Sequence, residues 1–304
     1  MTKTPSPRRQ ANEISMMLNA VFGQDRFPVR IRELAIEYSR KRFPDDPLTD
    51  VLGDKLPGFE GALAPARDGK RGWGILYNSA ITSPGRINFT LAHEFGHYLL
   101  HRLAHPEGIY CTEEDMRSWD SKNRKVESEA NEFAANLLMP FDDFRRQIAA
   151  RDKPDLEMLS DSAARYEVSM QAAVLRWLQF TTRRSVLVVA REGFILWARS
   201  SEPALKSGAF FRTANVPPVE IPEQSLAARR ASVDGSKGSA EFDAGVWFRE
   251  PCEEMVLFSD RYDFSMSLLH LGPASSRFEA LEEEEQEETF DRMMNRTPGS
   301  SWLG

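Results

Sequence analysis

The chain has 304 residues, of which 41% are hydrophobic and 28% charged, and its formal net charge is −7. This is the composition of a globular protein with enough chain for more than one domain. The negative charge gives no general attraction to nucleic acid or membranes, so a DNA-binding face would have to be local. No apolar run approaches the ~20 residues of a membrane span, and none follows the charged N-terminus. Together with two widely separated cysteines, this predicts a cytoplasmic protein without a signal peptide.

The N-terminal part predicts helices and then a β-hairpin. Residues 1–12 are polar and are expected to be a disordered lead, after which apolar residues recur at helical spacing. A second helix is predicted from Pro28 to about Arg42, followed by a turn-rich segment at 44–57. Phe59–Ala64 and Trp73–Asn78 flank a turn signal and predict the hairpin. Either strand could be an edge that holds an extended peptide, with a purely structural hairpin as the equal alternative.

Residues 85–102 read GRINFTLAHEFGHYLLHR and contain an HExxH motif. On a helix, His93 and His97 lie about 40° apart around the axis and about 6 Å apart along it. Both imidazoles therefore point towards one position, as zinc coordination requires. Glu94 is adjacent to the first ligand and is placed to take a proton from a water molecule.

The motif alone could also be a solvated helix face, so its surroundings matter. Most neighbouring positions are apolar and predict a buried helix: Leu91, Ala92, Phe95, Tyr98, Leu99 and Leu100. Burying two histidines and a glutamate without a partner is costly, and a metal ion removes that cost.

His101 extends the row of histidines by one turn. It would lie about 12 Å along the axis from His93, and no glycine lets the chain turn back towards the metal. We therefore expect His101 to bond carbonyl groups or solvent near the helix end.

A second amphipathic helix is predicted at 124–140, where the sequence reads RKVESEANEFAANLLMP. Glu127 and Asn131 share a polar stripe beside its apolar face, and Glu127 would complete a site of two histidines and one glutamate. Glu129 and Glu132 are the alternatives. They lie about 200° and 140° around the helix from Glu127, and we expect them to be solvated.

Residues 156–179 predict two short helices joined by a tight turn, which resemble a helix-turn-helix. The second would begin with Ser169 as its N-cap and expose Met170, Gln171 and Arg176. Few cations are present, and phosphate contacts dominate affinity for DNA. A packing module that supports the preceding domain is therefore favoured over direct DNA binding.

From residue 185 onwards the pattern changes to short apolar runs typical of strands. Val186–Ala190 and Phe194–Ala198 predict a strand pair, and later strands are predicted at Gly245–Phe248, Glu254–Phe258 and Phe264–Leu271. Residues 275–304 include a glutamate-rich block that predicts a solvated tail.

The segment TLAHEFGHYLLHR followed by VESEANEFAANLLMP resembles the paired motifs of the ImmA/IrrE family of zinc metallopeptidases. The resemblance spans residues 86–140, and the lead-in from Val29 is also similar. It implies that His93, His97 and Glu127 are zinc ligands and that Glu94 is the catalytic acid/base. It further implies a helix-turn-helix repressor as the protein substrate, whose cleavage switches on mobile-element or stress-response genes.

These observations predict an α+β chain with a mainly helical, zincin-like peptidase domain at 13–152 that includes a small β-hairpin or sheet. A helix-turn-helix-like module follows at 153–184, then a small β-rich domain at 185–274, for which family analogy suggests a sensory role. The predicted activity is that of a gluzincin-like endopeptidase using Zn²⁺, with Mn²⁺ as an alternative metal. The other reading is a DNA-binding or sensor regulator with a non-catalytic zinc site. Glu94 favours the enzyme, because a structural site has no use for a base.

Overall fold

The computed structural model describes residues 6–66, 71–112, 124–213, 216–259 and 263–274. The chain is α+β, with two sheets, and divides into two compact units. The first contains the residues up to Ala149 together with Pro154–Trp177; the second contains Ala150–Lys153 and the chain from Leu178 onwards. Within the described ranges, no helix is long and apolar enough to cross a bilayer.

The first unit combines helices with a four-stranded sheet. Its helices are α1 (Pro7–Phe22), α2 (Ile31–Arg42), α3 (Pro84–Leu100), α4 (Arg124–Leu138), α5 (Phe141–Gln147), α6 (Leu156–Tyr166) and α7 (Met170–Leu178). Its strands are β1 (Leu48–Asp54), β2 (Phe59–Pro65), β3 (Trp73–Asn78) and β4 (Ile109–Thr112), in the order β1-β3-β2-β4. Strand β1 is parallel to β3, whereas β2 is antiparallel to both β3 and β4.

The hairpin prediction is confirmed, because β2 pairs with β3 in antiparallel register. The expectation that either strand is an open edge is wrong. Both are interior strands, and the edges of the described sheet are β1 and β4. Strand β1 lies in the segment expected to be turns. Its Leu48 and Val51 are buried, and pairing with β3 overrides the weak strand propensity of a segment rich in Asp and Gly.

Helix α1 begins earlier than expected. The Ser6 hydroxyl accepts a hydrogen bond from the Arg9 amide at 3.4 Å, and Pro7 occupies the first helical position. Serine before proline is a favourable helix start. Residues 7–12, predicted to be disordered, are therefore helical; residues 1–5 of that lead lie outside the described residues.

Helices α6 and α7 form the expected pair of short helices. Ser169 caps α7, accepting from the Ala172 amide at 3.1 Å. The turn between the helices packs against α3, where Asn88 donates to the carbonyl oxygen of Glu167 at 3.2 Å. A Cβ on Gly85 of α3 would lie 2.5 Å from the Val168 carbonyl carbon. The pair therefore buttresses the start of α3, as expected of a packing module.

Arg176 was expected on the exposed face of α7, and this expectation is wrong. The residue is only 2% exposed. Its Nε donates to the Met139 carbonyl oxygen at 2.7 Å and its Nη2 to Asn136 Oδ1 at 3.0 Å, with the guanidinium over the Phe141 ring. Burial lowers its pKa to about 9. This arginine connects α7 to α4 and α5 and is not available to DNA phosphates.

The second unit is built on an antiparallel sheet of six strands in the order β7-β6-β5-β10-β9-β8. The strands are β5 (Ser185–Arg191), β6 (Phe194–Ser200), β7 (Val219–Glu220), β8 (Lys237–Phe242), β9 (Cys252–Ser259) and β10 (Phe264–Leu271), with a short helix α8 (Glu202–Lys206) and 3₁₀ turns elsewhere. The β-rich prediction is borne out for β5, β6, β9 and β10. The prediction of a strand at Gly245–Phe248 is wrong, because these residues form turns and bends. The acidic segment 275–304 lies outside the described residues.

Glu254 on β9 is a buried carboxylate that fastens a loop to the sheet. It is 0% exposed and accepts hydrogen bonds from the Leu226 and Ala227 amides at 2.9 and 3.1 Å. The Trp247 indole and the Ser267 hydroxyl also donate to it, at 2.9 and 2.6 Å. Four donors on two oxygens satisfy the charge that burial would otherwise penalise.

Glu254→Gln is expected to lower the free energy of opening of β9 and β10 by about 2–3 kcal/mol. The amide nitrogen of glutamine cannot accept, so donors that shared the carboxylate lose their acceptor. Amide hydrogen exchange in the two strands measures the change. Glu241→Gln, at an exposed position of β8, is the control and should stay within about 0.5 kcal/mol of wild type. Equal protection in the two variants would contradict this role for Glu254.

Candidate metal centre

Helices α3 and α4 bring His93, His97 and Glu127 together. One nitrogen or oxygen from each lies within 4.8 Å of the others. The two Nε2 atoms are 2.9 Å apart, and Glu127 oxygens lie 3.1 Å from His93 Nε2 and 3.4 Å from His97 Nε2. Both histidines are 0% exposed and Glu127 is 5% exposed. The spacing of the HExxH motif on α3 and the polar stripe on α4 thus direct the three side chains to one buried point.

Small residues let the two helices approach closely enough for this. A Cβ on Gly96 would lie 3.0 Å from Phe133 Cδ1 and 3.3 Å from Ala130 Cα. A side chain at Gly96 would therefore require Phe133 or the Ala130 backbone of α4 to move by a few tenths of an ångström. Because Ala130 is close to one turn beyond Glu127, the contact at Gly96 sets the distance of the carboxylate from the histidines.

Asn131 supports the first histidine. Its Oδ1 lies 3.0 Å from His93 Nδ1, on the side of the ring that faces away from His97. The amide oxygen accepts the Nδ1 proton and leaves Nε2 directed at the cluster. Histidines that bind metals characteristically donate their other ring nitrogen in this way. The polar stripe on α4 therefore supplies both the Glu127 carboxylate and the Asn131 amide that orients His93.

His101 does not behave as expected. It is 6% exposed, and its Nδ1 lies 3.0 Å from His97 Nδ1. Its Nε2 lies 3.0 Å from Glu129 Oε2. The expectation that it bonds carbonyls or solvent is therefore wrong, as is the expectation that Glu129 is simply solvated. His101 does not belong to the converging set of the described residues; it contacts that set through His97.

The ionisation of the cluster favours a positive charge at its centre. Burial opposes ionisation of Glu127, but hydrogen bonds from His93 and His97 outweigh burial and hold its pKa well below the usual range. Burial also opposes a charge on His93, yet Glu127 and Glu94 together raise the pKa of that imidazole. Burial and the neighbouring His93 lower the pKa of His97 to about 4. The raised pKa of His93 and the lowered pKa of Glu127 both favour a positive charge between the imidazole and the carboxylate.

This donor set fits a divalent metal ion. Two imidazole nitrogens and a carboxylate oxygen converge, and the carboxylate is ionised. With Asn131 holding the Nδ1 proton, the Nε2 lone pair of neutral His93 faces a Glu127 oxygen, a contact that repels unless a cation lies between them. Two histidines and a glutamate are one of the ligand sets that leave a further coordination position open.

Glu94 lies beside the cluster and is 0% exposed. Strand β2 packs against it at Gly61, where a Cβ would lie 2.6 Å from Glu94 Oε1 and 2.7 Å from Thr90 Cγ2. The absence of a side chain at this point of β2 is therefore what leaves room for the carboxylate. Gly61 is not among the site residues that the sequence patterns predict; a glycine within a strand is the available signal of close approach.

A protein-family model, Peptidase_M78, described as IrrE N-terminal-like domain, matches residues 49–178. Residues 49–178 are therefore similar to an IrrE N-terminal-like domain. The resemblance to the ImmA/IrrE family is thereby confirmed, and the match implies a metallopeptidase-type function for the matched region. No curated protein matches the chain.

The matched region runs from β1 to the end of α7. It includes the four-stranded sheet and the two helices that carry the candidate ligands. It also includes α6 and α7, the pair that sequence patterns placed in a separate module at 153–184. Because this pair packs on the start of α3, its inclusion in the domain has a physical basis.

In the matched region, Gly61→Ala is expected to lower kcat/KM by about 10²-fold without changing metal affinity. The added methyl group would displace the Glu94 carboxylate, whereas the three candidate ligands lie on α3 and α4. Gly74→Ala on β3 is the control, since its Cβ would meet nothing nearer than 3.9 Å. Rate measurements and metal titration on both variants make the comparison. An unchanged rate for Gly61→Ala would show that β2 does not position Glu94.

Proposed function

We propose that the chain is a zinc-dependent endopeptidase in which His93, His97 and Glu127 hold the metal and Glu94 is the acid/base. The observation that carries the proposal is the convergence of three buried donors beside a buried carboxylate that is not one of the three. A site that only stabilises the fold does not require this fourth group. Imidazole and carboxylate ligands suit Zn²⁺, with Mn²⁺ as the alternative.

The chemistry follows from the placement of these groups. A bound zinc ion supplies a Lewis acid that polarises the scissile carbonyl and lowers the pKa of water. Glu94 accepts a proton from the water molecule as the water oxygen adds to the carbonyl carbon. Glu94 then donates that proton to the amide nitrogen as the C–N bond breaks, giving a carboxylic acid and an amine. Asn131 keeps the His93 ring in the orientation that ligation requires.

The proposed substrate is a helix-turn-helix transcriptional repressor, cleaved at a specific site to derepress stress-response or mobile-element genes. The resemblance to ImmA/IrrE proteins is the main support. The net charge of −7 also suits a basic, DNA-binding partner, because complementary charges favour encounter.

Strand β4 is the proposed binding edge for the substrate chain. It pairs with β2, the strand that packs against Glu94, and it ends the described sheet on that side. An extended segment could add to such an edge through main-chain hydrogen bonds. Because this binding requires an extended chain, the cleaved site should lie in a loop or linker of the repressor.

Incubation with candidate repressors tests the proposal. Wild type and Glu94→Gln, each loaded with zinc, are mixed with helix-turn-helix repressors encoded near the gene, and the products are identified by mass spectrometry. Cleavage at one site by wild type alone is expected. If neither protein cleaves a repressor and both bind the promoter region equally well, the result would favour the alternative function, a regulator with a non-catalytic zinc site.

A further inference from the structure

We propose that His101 and Glu129 are positioning residues that fix the tautomer and ring orientation of His97 for metal binding. This inference rests on the metallopeptidase function proposed above. It gives a role to two residues that neither the HExxH motif nor the candidate ligand set includes.

The groups form a line that leads away from the cluster. His97 directs Nε2 towards His93 and Glu127, and the opposite nitrogen, Nδ1, lies 3.0 Å from His101 Nδ1. On the far side of its ring, His101 Nε2 lies 3.0 Å from Glu129 Oε2. His101 thus bridges one face of α3 to α4, in addition to the direct bond between His93 and Glu127.

The position of each proton determines which group donates in the hydrogen bonds that join Glu129, His101 and His97. An ionised carboxylate can only accept, so the Nε2 of His101 carries a proton and donates it to Glu129. In a neutral imidazole, His101 Nδ1 is then an acceptor. The proton in the bond between the two Nδ1 atoms therefore belongs to His97, which leaves the Nε2 of His97 with the lone pair that a metal requires.

The two candidate histidine ligands are supported in parallel ways from different elements. Asn131 of α4 accepts from His93 Nδ1, and His101 at the end of α3 accepts from His97 Nδ1. His101 is 6% exposed, so solvent is a poor substitute for it. Glu129 lies nearer the surface, with its side chain 32% exposed and its Oε1 3.8 Å from Lys125 Nζ.

The test compares two replacements of His101. His101→Phe keeps a ring but removes the acceptor, whereas His101→Asn can place its Oδ1 near the former Nδ1 and still accept from His97. His101→Phe is expected to lower zinc affinity by about 10–100-fold, and His101→Asn to recover most of that loss. His105→Phe, the same substitution on a loop outside the line, is the matched control and should bind zinc like wild type.

Affinity is measured by chelator competition, and the Tm of each metal-free protein reports on folding. The proposal expects the zinc affinity of His101→Phe to fall. The metal-free Tm of His101→Asn is expected to stay that of wild type. Glu129→Leu should also weaken zinc binding, and combining it with His101→Phe should cost no more than His101→Phe alone, because Glu129 acts only through His101. Should His101→Phe fail to fold, His101→Asn and Glu129→Leu still decide the matter.

Three results would overturn the proposal: zinc affinity of His101→Phe equal to that of wild type, equal weakening by His101→Phe and His101→Asn, or no zinc binding by wild type. The last would also remove the proposed peptidase. In contrast, the expected affinity series in a protein that cleaves no repressor would support the positioning role while contradicting the proposed substrate.

Discussion

Glu94→Gln is expected to lower kcat by about 10²–10⁴-fold while the bound metal stays at the wild-type level. Glutamine has nearly the same shape, so it fits the space beside Gly61, but it cannot accept a proton at neutral pH. Glu94 is outside the group of converging donors, so the metal ligands are unchanged. Initial rates on a substrate that the wild type cleaves, together with metal analysis, measure both quantities.

Glu132→Gln is the control for this substitution. Glu132 is exposed on α4, and its loss should leave both rate and metal content unchanged. Retention of wild-type kcat by Glu94→Gln would rule out this residue as the acid/base. A loss of metal along with the rate would instead mean that Glu94 helps to hold the ion.

Glu127→Ala is expected to weaken zinc binding by more than about 10²-fold, because groups that merely support metal ligands are already worth about 10–100-fold. The substitution removes the only carboxylate of the cluster and leaves two buried imidazoles close together without their anionic partner. A protein that binds metal only when folded gains about 2.7 kcal/mol at a free metal concentration 100 times Kd. Zinc should therefore raise the Tm of wild type clearly and that of Glu127→Ala only slightly.

Glu132→Ala on the same helix is the matched control, and its Tm should respond to zinc as wild type does. Thermal scans at several zinc concentrations, with chelator as the reference, give the comparison without any substrate. If Glu127→Ala showed the full zinc response, the third ligand would have to come from elsewhere in the chain.

The sequence was most informative where one periodic pattern decided the structure. The apolar residues around HExxH predicted a buried α3, and the polar stripe on 124–140 placed Glu127 and Asn131 on one face of α4. Ser83 caps α3, and both helices bury a continuous apolar face, so the pattern alone identifies them.

The sequence was least informative where pairing between distant residues decided the structure. Strand β1 has turn-like composition and is stabilised by parallel pairing with β3. Arg176 has the charge of a surface residue, yet the Met139 carbonyl and Asn136 satisfy it inside the unit. Ideal helix geometry excludes His101 as a ligand beside His93, but it does not reveal the contact of His101 with Glu129 of α4. Composition and spacing within one helix do not reveal partners supplied by other elements.

The division of the ligands between α3 and α4 has a mechanical consequence. A metal held by His97 and Glu127 would cross-link positions about 30 residues apart, and closing a loop of that length restricts the unfolded chain by about 3–4 kcal/mol in the chain-entropy model. The ion would thus act as a reversible cross-link between α3 and α4, the two helices that pack at Gly96. Loss of the metal would remove this restriction of the unfolded chain, so the stability of the fold, as well as the chemistry of the site, would depend on the bound ion.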